Sequence, residues 1–249
     1  MEFDYEKGKI MKKAYYKTKI LLTFCLAISV ATLAFSCSKP PQPQHTSYYT
    51  PDNFITLSNF SLRTNQEENT TIYYSNEKSK ITFHSSKSTK TQPIDTFFVF
   101  GTSVSQQLVD GVWQEVSQSN VPAHLRVIRD KCGLVFTNIQ RQFITETSAN
   151  KFAVDAEHLF MSAFREHYEH FFGKAYSESE FLEDFHSTAP ALYGAFGDYA
   201  ITLDCSQQDH IRLAIVKNST DTEKGFRNEF DYFDIDKTQI KLPLPPLES

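Results

Sequence analysis

Apolar and polar positions alternate in short runs across the first half of the chain, shift to a three-and-four spacing in the middle, and alternate again in the last third. Alternation marks half-buried strands, and the wider spacing marks one face of a helix. Thr70 to Tyr74 and Lys80 to His84 read as a hairpin, with Ser75 to Lys78 between them and Asn76 in the turn. Thr96 to Val104 and Val112 to Ser117 read as a second pair joined through Gln106 to Gly111, where Asp110-Gly111 is the strongest local hairpin signal. Trp113, the only tryptophan, falls on the return strand and reads as a packing residue. Leu125 to Ile128 reads as a strand, followed by a turn at Asp130 to Gly133 into Leu134 to Thr145.

The helical spacing then runs through Phe152, Ala156, Leu159, Phe160, Ala163, Phe164, His167, Tyr168 and Phe171, and Gly173 is placed to cap its end. Ser177 to Glu180 has the form of a capping box and predicts a second helix reaching about His186. Tyr199 to Cys205 and Ile211 to Val216 flank a polar turn, and Phe226 to Ile235 supplies a last strand. Together these elements predict an α+β fold, an antiparallel sheet of hairpins packed on one face by a two-helix segment at about residues 151–187. The organisation expected is a leader at 1–36, a polar Pro-rich tether at 37–53, one α+β domain at 54–240 and a Pro-rich tail at 241–249.

The leader changes the picture most. Lys12, Lys13, Lys17 and Lys19 precede an uncharged run from Ile20 to Phe35, the order of a secretory signal peptide, with translation expected to start at Met11. The run ends in Ala34-Phe35-Ser36-Cys37, which resembles the lipobox of bacterial lipoproteins. That resemblance implies a lipid-bearing Cys37 as the new N-terminus, an exported protein held at the cell envelope, and a membrane contact through the lipid. Ala34-Phe35-Ser36 also fits ordinary signal peptidase, which would release a soluble protein. Of four cysteines, Cys25 leaves with the leader, and a lipidated Cys37 leaves Cys132 and Cys205 to pair as a disulfide in an oxidising compartment.

From Cys37 onward 19 basic residues face 27 acidic ones, a formal charge of −8, and no Lys/Arg cluster suits a nucleic acid. No phosphate-binding glycine loop, dinucleotide fingerprint or nucleophile elbow is present, so no cofactor is implied. His167 and His170 stand one helical turn apart and could put two nitrogens on a metal, but no third ligand follows at a zinc spacing, so no metal is expected. The leading expectation is a membrane-anchored lipoprotein acting as a non-enzymatic envelope interaction protein with a protein partner. Its alternatives are an envelope hydrolase using the helical carboxylates Glu166, Glu169, Glu180 and Glu183, or a small-molecule binding module.

Overall fold

A computed structural model describes residues 48–173, 175–218 and 225–243. The first described helix, α1 (Pro51–Ile55), opens with proline in its first turn and a reciprocal side-chain cap between Thr50 and Asn53, and it buries Phe54. Six strands follow as successive hairpins: β1 (Asn59–Thr64), β2 (Thr70–Glu77), β3 (Lys80–Lys87), β4 (Ile94–Phe100), β5 (Ser105–Val109) and β6 (Val112–Glu115). Helix α2 (Val121–Lys131) leads to β7 (Ile144–Ser148) and β8 (Lys151–Val154), then to helices α3 (Ala156–Phe172) and α4 (Glu178–Tyr193). Strands β9 (Tyr199–Asp204), β10 (His210–Lys217) and β11 (Phe226–Phe233) complete the described chain.

All eleven strands belong to one sheet in the order β6-β5-β4-β3-β2-β1-β11-β10-β9-β8-β7. Every pair is antiparallel, and the first and last strands meet at its centre. This overturns the expected α+β layering, because the helix pair does not form a layer over the sheet. Leu159 and Phe160, early in α3, join the main core, whereas Phe164 and Tyr168 further along pack with Phe181, Phe185 and Ala189 of α4 as a separate cluster. The apolar stripe of α3 is longer than the sheet surface it meets, so its second half must find its own partner.

The main core lies on one face of the sheet. Phe60, Tyr74 and Phe83 align across β1, β2 and β3, and Phe152, Leu203, Leu213 and Phe230 align across β8, β9, β10 and β11. Phe54, Ile128, Cys132 and Leu134 close over them from α1, α2 and the turn after it. Tyr232, fully buried in β11, packs edge-on against Phe60 at 5.3 Å and donates its hydroxyl to the Cys132 carbonyl at 3.0 Å.

Several local readings need correction. The β2–β3 turn lies at Lys78-Ser79, where both φ values are positive, two residues beyond the expected one. Gln106 to Val109 is strand β5 rather than a connection, although Asp110-Gly111 makes the turn to β6 with φ of 49° and 78°. Leu125 and Ile128 sit in a helix, since Pro122 opens its first turn and Leu125, Ile128 and Cys132 follow at helical spacing toward the core. Leu134 to Thr145 is mostly two short 3-10 turns, Leu134–Phe136 and Arg141–Phe143, before β7. Phe152 belongs to β8, and α3 begins only after Asp155, whose side chain caps it by accepting from His158 N at 2.9 Å. At α4 the Ser177 side chain makes no cap bond, and the helix continues past His186 to Tyr193 with Pro190 inside it.

Gly133 makes the close approach that seats α2 on the sheet. Its φ is 64°, and a Cβ there would stand 2.6 Å from the Tyr232 hydroxyl and 2.9 Å from Phe230 Cδ1. Gly133→Ala is expected to cost roughly 2–5 kcal/mol through left-handed strain and overpacking. Tyr232→Phe, which orphans only the Cys132 carbonyl, should cost roughly 1–3 kcal/mol. Urea unfolding of both variants checks the order, and an Ala variant as stable as the parent would refute the packing account.

Candidate functional site

The four helical carboxylates suggested by sequence do not converge. Glu166 on α3 is held by α2: Arg129 Nε stands 2.6 Å from Glu166 Oε1, and Asn138 donates to Oε2 at 3.0 Å. Arg129 Nη2 also donates to Glu166 Oε2 at 3.4 Å, so the ion pair is hydrogen-bonded. Glu169, Glu180 and Glu183 lie on exposed helix surface. Among the described carboxyls whose titration departs from the ordinary, all move down. Asp95 is lowered chiefly by its hydrogen bond with His84. Burial opposes ionisation of Asp155 and Asp204, but hydrogen bonds from His158 and from Ser206 outweigh it. A general acid for glycoside cleavage needs the opposite shift.

The histidine pair is likewise divided. His167 Nε2 lies 2.7 Å from Asp130 Oδ1, tying α3 to the end of α2, while His170 is exposed one turn further on. Among the described residues no three His, Cys, Asp or Glu side chains gather as metal ligands. No described helix is long and apolar enough to cross a membrane. Cys37 and the lipid expected on it lie outside the described residues.

Cys132 and Cys205 are free, buried thiols rather than the expected disulfide. They occupy different neighbourhoods. Cys132 ends α2 beside Tyr74, Tyr232 and Arg129, whereas Cys205 follows β9, where its N–H donates to the Asn150 carbonyl at 2.8 Å. Burial pushes the Cys205 thiol up to about 12 and the Cys132 thiol higher still, so neither is a thiolate nucleophile at neutral pH.

Two clefts remain. One, of about 250 Å³, lies between the 138–143 turn and α3 and is lined by Asn138, Gln140, Phe143, His158, Ser162 and Arg165 among others. Its polar groups are largely committed: His158 lies flat on Phe143 with ring centroids 3.4 Å apart, Arg165 pairs with Glu178 at 3.0 Å, and Asn138 with Glu166. The second, of about 480 Å³, lies beside the segment after β11 and is lined by Asn59, Glu77, Lys78, Lys80 and Thr238 among others. Neither is lined by two carboxyl groups, which glycoside cleavage needs facing each other across the bond. Both offer amides, hydroxyls and charged tips suited to a polar ligand.

Residues 33–156 match the family model described as glycosyl hydrolases family 32 C terminal. The matched stretch is just under half of the 249 residues and takes in β1 to β8 with α2. No curated protein matches the chain. The match corrects the leading expectation, because the likeness is to a glycoside hydrolase module rather than to a non-enzymatic envelope interaction protein. Sequence reasoning missed it because the likeness is spread over alternating strands and carries no short catalytic motif.

The buried thiols give a test independent of that likeness. At pH 8, the Cys132 and Cys205 peptides of the native protein should resist iodoacetamide and label fully in denaturant. Peptides that stay unlabelled in denaturant unless reduced would restore the disulfide. The same burial sets an alkaline limit. An unfolded thiol loses its proton near 9.0, while the folded Cys132 and Cys205 hold theirs to higher pH, as do Tyr74, pushed up to about 12 from 10.0, and Tyr232. The folded chain therefore binds more protons than the unfolded one above that point. The urea midpoint should be level just below pH 9.0 and fall as pH rises beyond it.

Proposed function

We propose that this protein is a glycoside-hydrolase-related module whose β-sheet engages saccharide. The observation that carries the reading is the family match over residues 33–156, which takes in eight of the eleven sheet strands. The chemistry of the surface agrees with it. The protein carries a formal charge of −5, and both clefts are lined by amides and hydroxyls, so polar groups meet a ligand on an acidic background. Such a surface suits neutral, hydroxyl-rich molecules better than polyanions.

Contact with saccharide, rather than scission by a carboxylate pair, is the part of the reaction this reading assigns to the described residues. Glu166 is neutralised by Arg129, and the resolved carboxyl shifts run away from an acid role. The test uses the full chain with a panel of short neutral and anionic oligosaccharides, followed by calorimetry and by release of reducing ends. Saturable binding of a neutral oligosaccharide supports the reading. Binding to no saccharide overturns it. Reducing-end release that disappears in Glu166→Gln would move the cleaving role onto α3 and overturn the assignment of contact rather than scission to the described residues.

A further inference from the structure

The cleft beside the segment after β11 has its floor on the sheet. The register pairs Ser75 with Thr82 and Glu77 with Lys80, so these four side chains rise together from β2 and β3 on the face away from Tyr74 and Phe83. Its wall is the returning chain. Asp234 and Asp236 take positive φ of 50° and 60°, and Thr238 is then bonded to Asn59 and Ser61 of β1. Past Thr238, the side chains of Gln239, Ile240 and Leu242 complete the wall. Floor and wall are thus tied to one another before any ligand arrives, which lowers the ordering cost of binding.

Three observations separate this cleft from the one at α3. Its volume of about 480 Å³ falls within the roughly 300–1,000 Å³ of small-molecule sites, whereas the other, at about 250 Å³, falls below it. Its floor lies wholly inside residues 33–156, whereas His158, Ser162 and Arg165 of the other cleft lie beyond them. Its polar tips are also free to meet a ligand. Thr82, Lys78, Lys80 and Gln239 make no side-chain hydrogen bond or ion pair among the described residues, and Glu77 is engaged only through Oε1, which accepts from Asn59 at 2.7 Å. All of these groups are exposed or half-buried, so a ligand in the cleft can reach them.

A sugar ring carries hydroxyls around its edge and C–H groups on its faces. Lys80 donates and Glu77, directly opposite it in register, accepts, so neighbouring hydroxyls can be held one by each. The Thr82 hydroxyl does both. Ile240 and Leu242, half-buried on the wall, offer apolar surface to a C–H face. A ligand carboxylate would meet the like charge of Glu77 on the floor. We infer that this cleft binds a neutral saccharide, its hydroxyls shared between Lys80, Glu77 and Thr82 and its C–H face toward Ile240 and Leu242. The inference rests on the proposed saccharide function and assigns it a site.

Calorimetry of the full chain with short neutral gluco-, manno-, galacto- and fructo-oligosaccharides should give saturable binding of at least one of them. Lys80→Met should weaken that binding about tenfold and Thr82→Val about threefold, each removing one hydrogen-bonding group. Gln140→Ala, in the cleft at α3, should leave it unchanged. Circular dichroism melting establishes that each variant is folded, and the exposed Lys80→Met alone decides the matter should Thr82→Val fail to fold. A uronate-bearing oligosaccharide of the same length should bind more weakly than the neutral one. Tighter uronate binding, neutral binding insensitive to Lys80→Met and Thr82→Val, or binding lost in Gln140→Ala would each overturn this site while leaving the saccharide reading intact. Calorimetric silence toward every sugar would overturn both.

Discussion

The pairing of β1 with β11 is the interaction on which the rest of the sheet depends. Strands β1 to β6 pair as successive hairpins and β7 to β11 pair in chain order around the two long helices, but only the Ser61–Phe233 to Thr64–Phe230 register makes them one sheet. The consequence is that β1 sits at the centre with both faces covered, and Asn59 to Leu62 are all buried. Phe60 and Leu62 face the apolar core, whereas Asn59 and Ser61 are polar and must be satisfied where they lie. Asn59 donates to Glu77 at 2.7 Å, to Ser75 and to the Thr238 carbonyl, and accepts from Thr238 N; Ser61 shares a hydrogen bond with the Thr238 hydroxyl. The segment after β11 is thus fastened to the first strand across 179 positions of sequence. Such long-range closure comes late and slowly in folding, after the local hairpins have formed.

A single sheet of eleven strands also explains why the helices are placed as they are. Twisted sheets of this width curl, and the curled face needs filling. Helices α1 and α2 supply Phe54 and Ile128 to it, with Gly133 letting the chain come against Phe230 and Tyr232. Helix α3 contributes only its beginning and then leaves to pack with α4. The carboxylates of those helices are thereby carried onto a satellite cluster with an aromatic interior, where Glu166 is used to hold α2.

Sequence alone made the strands of the hairpin regions readable where alternation was clean and a turn residue marked the reversal, as at Asp110-Gly111. It misread the turn after β2 because Lys78 and Ser79 carry no strong turn preference yet adopt positive φ. It misread α2 because the three apolar positions of Leu125 to Ile128 fit either period, and tertiary burial of Ile128 and Cys132 settled the question. The cysteine argument failed for a different reason. Parity presupposed a compartment and a lipid, while the two thiols are kept apart by packing that no spacing rule reports. The β1–β11 closure was likewise invisible, since strand order is a long-range property that local pattern does not encode.

The family likeness and the site geometry bear on different parts of the chain, and their overlap is informative. The matched residues 33–156 include β1 to β8, and they stop at the first residue of α3. The carboxylates that sequence reasoning favoured, Glu166, Glu169, Glu180 and Glu183, all lie beyond that limit. Relation to a glycoside hydrolase module therefore attaches to the sheet rather than to the helical acids. Antiparallel pairing holds cross-strand side chains at fixed spacing, so the sheet can present groups to a ligand at set distances. It is the sheet that the β1–β11 closure makes continuous, joining the matched strands β1 to β6 through β11, β10 and β9 to the matched strands β7 and β8.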